Sequence, residues 1–268
     1  GQAYEQPIWQ LLGGAHRLQV EPYATGFYRI QGQGEAERLA EEAQMHAQNG
    51  FRYMKVKLGF GIRDDICVMQ AIQRAIDPAE ITLMVDSNHA YGRTEALYLG
   101  QALSDMQLRW YEEPVVPEDY EGYADLRRRL PMAIAGGENE HSLYGFNALF
   151  EGACVDIAQP DIGSCGGFTA ARHITALAQA KGVEINPHVW GSAIAQAASL
   201  HLIASLPNAH HSMFSRQPIL EYDQSSHPFR RELTSHPIKV QNGFVQINDS
   251  PGLGIDIRMD TLARYRVN

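Results

Sequence analysis

Short runs of apolar, β-branched residues alternate with helix-period runs along most of the chain. Apolar positions spaced i, i+3, i+4 mark the buried face of a helix, and short continuous apolar runs mark strands covered on both sides. Residues 18–25 read as a strand, followed by a helix over about 35–49 that Asn49-Gly50 closes. Strand 52–58, helix 64–76, strand 81–86, helix 93–105, strand 108–112 and helix 119–130 come next. Then follow strand 132–136, helix 142–151, strand 154–158, helix 167–181, strand 183–186, helix 191–205 and a last strand near 217–222. The pattern holds eight strands and seven intervening helices. Such alternation with short loops requires parallel strands and right-handed crossovers, and eight of these strands close most economically into a barrel. The predicted architecture is therefore an α/β, TIM-like barrel over 15–223, entered through a helix over 1–14.

Beyond Asp223 the alternation stops. Residues 224–235 are polar, and 238–247 carry Asn242-Gly243 between two short alternating runs, a hairpin signal. The tail 224–268 is too small to fold alone and must pack on something.

The length of 268 residues fits one barrel, and 44% hydrophobic residues supply a full core. A net charge of −9 without a basic stripe argues against a nucleic-acid partner. Cys67, Cys154 and Cys165 are odd in number and match no zinc spacing, which predicts a reducing, cytoplasmic setting. No apolar run has the length of a membrane span, so no membrane partner is expected.

Buried barrel strands should be nearly all apolar, so charges at their ends carry the information. Lys55-Val56-Lys57, Asp86-Ser87-Asn88, Glu112-Glu113-Pro114, Gly137-Glu138, Gln159-Pro160-Asp161, Asn186-Pro187-His188 and Glu221-Tyr222-Asp223 all fall there. Asp86 to Glu112 and Glu112 to Glu138 are both 26 residues, which predicts three acids side by side on one rim. Converging carboxylates repel unless a cation holds them, and an all-oxygen set suits Mg²⁺. The competing reading is that each acid caps the helix after it. Strand parity sends Lys55 and Lys57 together into the barrel mouth, where each should lower the other's pKa and poise a general base. Asp161 is placed to hold one nitrogen of His188 and fix its tautomer.

These seven motifs, in this order, resemble the enolase superfamily and its mandelate racemase subgroup over residues 15–223. The resemblance implies a modified (β/α)7β barrel, with Asp86, Glu112 and Glu138 as the ligands of one Mg²⁺. Parity alone does not choose between Glu112 and Glu113; the resemblance picks the first. It further implies Lys57 as base on one face of the substrate with Lys55 modulating it, and His188 with Asp161 acting on the other face. Glu221 would hydrogen-bond the substrate carboxylate, and Lys55 and Asn88 would line the substrate site. The expected reaction removes a proton α to a carboxylate and eliminates water from a sugar acid, giving a 2-keto-3-deoxy acid. The alternatives are a racemase or epimerase and, less favoured, a non-catalytic barrel. The expected partner is a small carboxylate, with the chain in a homo-oligomer. Members of this family carry an N-terminal α+β capping domain. None precedes this barrel, so the chain is expected to be cut from a longer enzyme, with 224–268 as the remnant completing that cap.

Overall fold

The computed structural model describes residues 1–209, 213 and 215–267. Its strands are β1 (Gln19–Val20), β2 (Pro22–Gly26), β3 (Tyr53–Lys57), β4 (Thr82–Asp86), β5 (Trp110–Glu112), β6 (Ala133–Gly136), β7 (Ile157–Ala158), β8 (Glu184–Ile185), β9 (Leu220–Asp223), β10 (Val240–Gln241) and β11 (Phe244–Gln246). The helices between them are α1 (Ile8–Leu11), α2 (Ala36–Gln48), α3 (Ile62–Ala75), α4 (Arg93–Ala102), α5 (Tyr120–Arg129), α6 (Ser142–Glu151), α7 (Gly167–Lys181) and α8 (Ala193–Ser205). Two short helices, α9 (Pro228–Arg231) and α10 (Met259–Arg264), lie in the tail.

Eight parallel strands form one curled sheet in the order β8-β7-β6-β5-β4-β3-β2-β9. The expected TIM-like barrel is thus present, with α2 to α8 as the connections. Side chains join its two terminal strands. Asn186 Oδ1, just past β8, accepts the Ile219 amide at 2.9 Å, and Glu221 Oε2 on β9 accepts the Val189 amide at 2.9 Å. These bonds satisfy backbone donors that a strand ladder would otherwise take.

Strand parity sorts the core into two layers. Met54, Val56, Leu83, Val85, Tyr111 and Ile134 face the helices. Tyr23, Met84, Trp110, Ala135, Ile157 and Ile219 fill the barrel interior, where Tyr23 and Trp110 pack edge to face at 5.5 Å. Above this apolar plug the inward positions turn polar: Thr25, Lys55, Asp86, Glu112, Gln159 and Glu221 are all buried. An apolar floor under a charged lid excludes water from below and strengthens every charge interaction above it.

The N-terminal region differs from expectation. The predicted strand 18–25 is broken at Glu21, because its two halves serve different sheets. β2 enters the barrel, while β1 pairs with β11, which pairs with β10, in a small antiparallel sheet at the end of β2 away from the charged lid. Asn242 and Gly243 both have positive φ, the geometry a two-residue hairpin turn requires. The lead-in helix shrinks to α1. α8 is buried on nearly every side, which a uniformly apolar helix demands. Trp9 and His16 bond to its far side through His201 Nδ1 and the Ala204 carbonyl. The tail packs against α8 and β1, so its support lies within this chain. Among the described residues no helix is long and apolar enough to cross a membrane.

Candidate active site

The charged lid is built row by row. Lys57 on β3, Asp86 on β4 and Glu112 on β5 are register partners across neighbouring strands, so their side chains rise at one level. The register partner of Glu112 on β6 is Ala135. Glu138 therefore stands three residues beyond that row, and the equal 26-residue spacings do not correspond to equal heights. Gly137, at φ +114°, turns the chain there, and a Cβ on it would meet the Phe146 ring at 3.0 Å. None of the three acids caps a helix: the N-caps of α4, α5 and α6 are Gly92, Asp119 and His141.

Lys55 lies at the centre, fully buried. Its Nζ is 2.5 Å from Glu112 Oε1, 2.9 Å from Glu221 Oε1 and 3.3 Å from Asp86 Oδ2. Burial alone would drive this ammonium toward neutrality, but the surrounding carboxylates reverse that and raise its pKa well above the ordinary lysine value. The expectation of a lowered pKa for Lys55 is thus corrected: the acids outweigh the neighbouring ammonium. Lys57 is partly open and bonds Asp86 Oδ2 at 2.5 Å and Asn88 Oδ1 at 2.9 Å.

Asp86 is held well below the usual carboxylate range; burial opposes this, and Lys55, Lys57 and the Asn88 amide overcome it. Glu112 goes the other way. Burial, joined by the charges of Asp86, Glu221 and Glu138, pushes it up to about 7 against the pull of Lys55. Its Oε2 accepts from Trp110 Nε1 at 2.9 Å and Gln159 Nε2 at 2.7 Å. Glu113, raised to about 8 by burial and the neighbouring acids, accepts from Asn139 at 2.8 Å and Asn88 at 3.3 Å. Asn88, His89 and Glu113 all have positive φ, at 41°, 61° and 45°. Each such residue costs about 1–2 kcal/mol, and strain of this kind clusters where side chains must be aimed.

On the other side of the mouth His188 Nδ1 is 2.7 Å from Asp161 Oδ2, while Nε2 is 3.4 Å from Glu138 Oε2 and 3.9 Å from Glu221 Oε2. Burial would lower this imidazole, but the bond to Asp161 and the charges of Glu221 and Glu138 raise it to about 9. Glu221 accepts from Thr25 Oγ1 at 2.7 Å, from the Val189 amide and from Lys55. Against the cost of burial, Lys55, His188, Lys57 and that amide hold it at about 2.

The structure thus gathers Lys55, Lys57, Asp86, Asn88, Glu112, Glu138, Asp161, His188 and Glu221 on one rim. Among the described residues no group of three His, Cys, Asp or Glu side chains stands ready to hold a metal ion. The donor set nevertheless fits a hard cation. Glu138 Oε2 is buried without a hydrogen-bond donor, and Glu112 and Glu113 are raised partly by repulsion from acids around them. Sequence reasoning assigned no role to Thr25, Trp110 or Gln159, whose bonds fix Glu112 and Glu221. The parity of Thr25 and Trp110 could have shown that both point inward.

Residues 38–261 match the family described as enolase C-terminal domain-like. D-galactarolactone cycloisomerase of Agrobacterium fabrum is 39% identical to this chain over its whole length, which spans 70% of that protein. Arabinonate dehydratase of Saccharolobus solfataricus is 29% identical over 99% of the chain and 68% of that enzyme. The crystal structure of the 3,6-anhydro-D-galactonate cycloisomerase from Zobellia galactanivorans superposes with a TM-score of 0.91 at 42% identity, covering all of this chain and 72% of the other.

Proposed function

The chain belongs to the enolase C-terminal domain-like family, and from that premise we propose that it removes the proton α to the carboxylate of an acid sugar and then expels the oxygen on the β carbon. The observation that carries this reading is the pairing of two proton-handling groups across one acidic mouth. Lys57 ends β3, and the His188–Asp161 pair follows β8 and β7. β2 and β9 separate β3 from β8 on one side, and β4 to β7 separate them on the other. A substrate between them meets a base on one face and an acid on the other.

A proton next to a carboxylate is very weakly acidic, because its removal places a second negative charge on the same group. Mg²⁺, which members of this superfamily generally use, would be held by Asp86, Glu112 and Glu138 and would supply the charge that offsets this build-up. Lys57 Nζ takes the α-proton as the Cα–H bond breaks. Its bond to Asn88 aims the nitrogen along the rim. Lys55, locked among three carboxylates, keeps a fixed positive charge beside the reacting carboxylate. His188 then gives its Nε2 proton to the leaving oxygen as the Cβ–O bond breaks. The Nδ1 bond to Asp161 keeps the imidazole protonated and turned so that Nε2 faces the mouth. The enol left behind becomes a 2-keto-3-deoxy acid.

If the leaving oxygen is a free hydroxyl, water departs and the enzyme is a dehydratase, as in the arabinonate dehydratase it resembles. If that oxygen belongs to a ring or lactone, the product is an isomer. The higher identity to two cycloisomerases favours this second reading. A panel of mono- and diacid sugars and their lactones with Mg²⁺, read for keto-acid and for deuterium uptake in D₂O, tests the proposal. Keto-acid from an open-chain acid supports the dehydratase, and keto-acid from a lactone alone supports the cycloisomerase. Deuterium exchange without keto-acid would refute both.

A further inference from the structure

Trp190 follows His188 by two residues and is 57% exposed at the same rim, although it is among the largest apolar side chains in the chain. It is not loose. Its Nε1 donates to Tyr28 Oη at 3.4 Å, and Tyr28 Oη donates to Asp223 Oδ1 at 3.0 Å. Asp223 is fixed in turn by the Ser225 amide at 2.9 Å, the Ser225 hydroxyl at 2.7 Å and Arg230. Tyr28 follows β2, Trp190 follows β8, and β9 ends between them, so the pair arches over the end of β9 that carries Glu221. The intervening Val189 gives its amide to Glu221. With its one donor given to Tyr28, the indole has no polar atom left for a ligand and only its ring to offer.

We propose that this face is the platform for the distal carbons of the substrate, the specificity-determining surface of the site; the proposal rests on the acid-sugar reading above. The reacting end of such a substrate must lie among Lys57, His188 and the acids, where every group is polar. The remaining carbons carry C–H bonds that gain nothing from carboxylates. They need an apolar wall, and an electron-rich ring favours C–H edges. A pinned ring also loses little freedom when covered, so its contact area is turned into affinity rather than spent on ordering.

The test is equilibrium binding in the presence of Mg²⁺ of two probes, a six-carbon aldarate and glycolate, which share the reacting end and differ in the distal carbons. In Trp190→Ala the preference for the aldarate over glycolate should fall about tenfold or more, and Trp190→Phe should recover most of it. The aldarate, but not glycolate, should shield from acrylamide the part of the parent's indole fluorescence that Trp190→Phe lacks, since Trp110 is buried and the partly buried Trp9 is common to both proteins. The platform is overturned if Trp190→Ala weakens both acids alike. It is also overturned if bound aldarate leaves the indole open, or if the indole is already shielded in the free protein by some other covering. Binding of the aldarate with an indifferent indole sinks the platform alone; binding of neither acid to the parent sinks the acid-sugar reading with it.

Discussion

Replacing Asp161 with Asn isolates the contact that sets the protonation of His188. The replacement keeps the shape, and its carbonyl can still accept the Gly163 amide that Asp161 Oδ1 now takes at 2.6 Å. What it then presents to His188 Nδ1 is an NH₂ group, a donor facing a donor. The bond lost is short, at 2.7 Å, and both side chains are mostly buried, 16% and 15% exposed. A hydrogen bond between charged partners of this kind is worth about 1.5–3 kcal/mol. At about 1.4 kcal/mol per pH unit, His188 should titrate about one to two pH units lower than its present value near 9. The sign for stability follows. A pKa raised by folding stabilises the protein fully below the unfolded histidine value of about 6.5, and that contribution is lost as pH rises through about 9. The variant should therefore be less stable than the parent by about 1.5–3 kcal/mol at pH 6, with the gap closing above pH 9. Long-range ¹H–¹⁵N correlation spectra across pH, with His188 assigned from a His188→Asn sample, read the titration. Urea unfolding on both sides of the window reads the stability. An unchanged His188 titration in Asp161→Asn would refute the assignment of Asp161 as the group that keeps the imidazole charged.

Lys57→Met should lower α-proton exchange in D₂O by about 10²–10⁴-fold while leaving the circular dichroism spectrum unchanged; exchange at the parental rate would remove Lys57 from the reaction. Gly137→Ala places a Cβ at 3.0 Å from Phe146 on backbone at φ +114°. It should cost about 1–3 kcal/mol in denaturant unfolding and weaken Mg²⁺ binding measured by calorimetry, since that turn delivers Glu138. A variant that unfolds early but binds Mg²⁺ as tightly as the parent would break the link to Glu138. Mg²⁺ at about one hundred times its Kd should raise unfolding free energy by about 2.7 kcal/mol, and a chelator should reverse this. No change in the melting curve would count against a cation at these acids.

The barrel was legible because its signal is local. A strand buried on both faces writes itself as a short apolar run, a crossover helix as a 3.6 period, and each pair of neighbours adds one unit to the same repeat. Parity tells which residues of a strand point inward, and it sends Lys55 and Lys57 into the barrel. The order of the polar strand ends, with the family resemblance they carry, indicated the rim and its chemistry. The break at Glu21 is not legible, since residues 18–25 have one continuous pattern and only the partner strands, 198 residues on in β9 and 225 to 227 on in β11, divide it.

The tertiary structure decided the rest, and the reason is the tilt and stagger of the strands. Spacings of 26 and 26 residues look identical in sequence, yet Asp86 and Glu112 share a row while Glu138 stands above it on a glycine turn. The pKa of Lys55 depended on how many carboxylates reach one buried nitrogen, which is a count in space. The bonds of Asn186 and Glu221 between β8 and β9, and the arch of Trp190 to Tyr28, join loops 33, 32 and 162 residues apart. Sequence determined which side chains line the barrel and its mouth, because alternation is a property of neighbouring residues. Only the folded sheet decided which of them touch, because that depends on the heights of strands whose register no local spacing encodes.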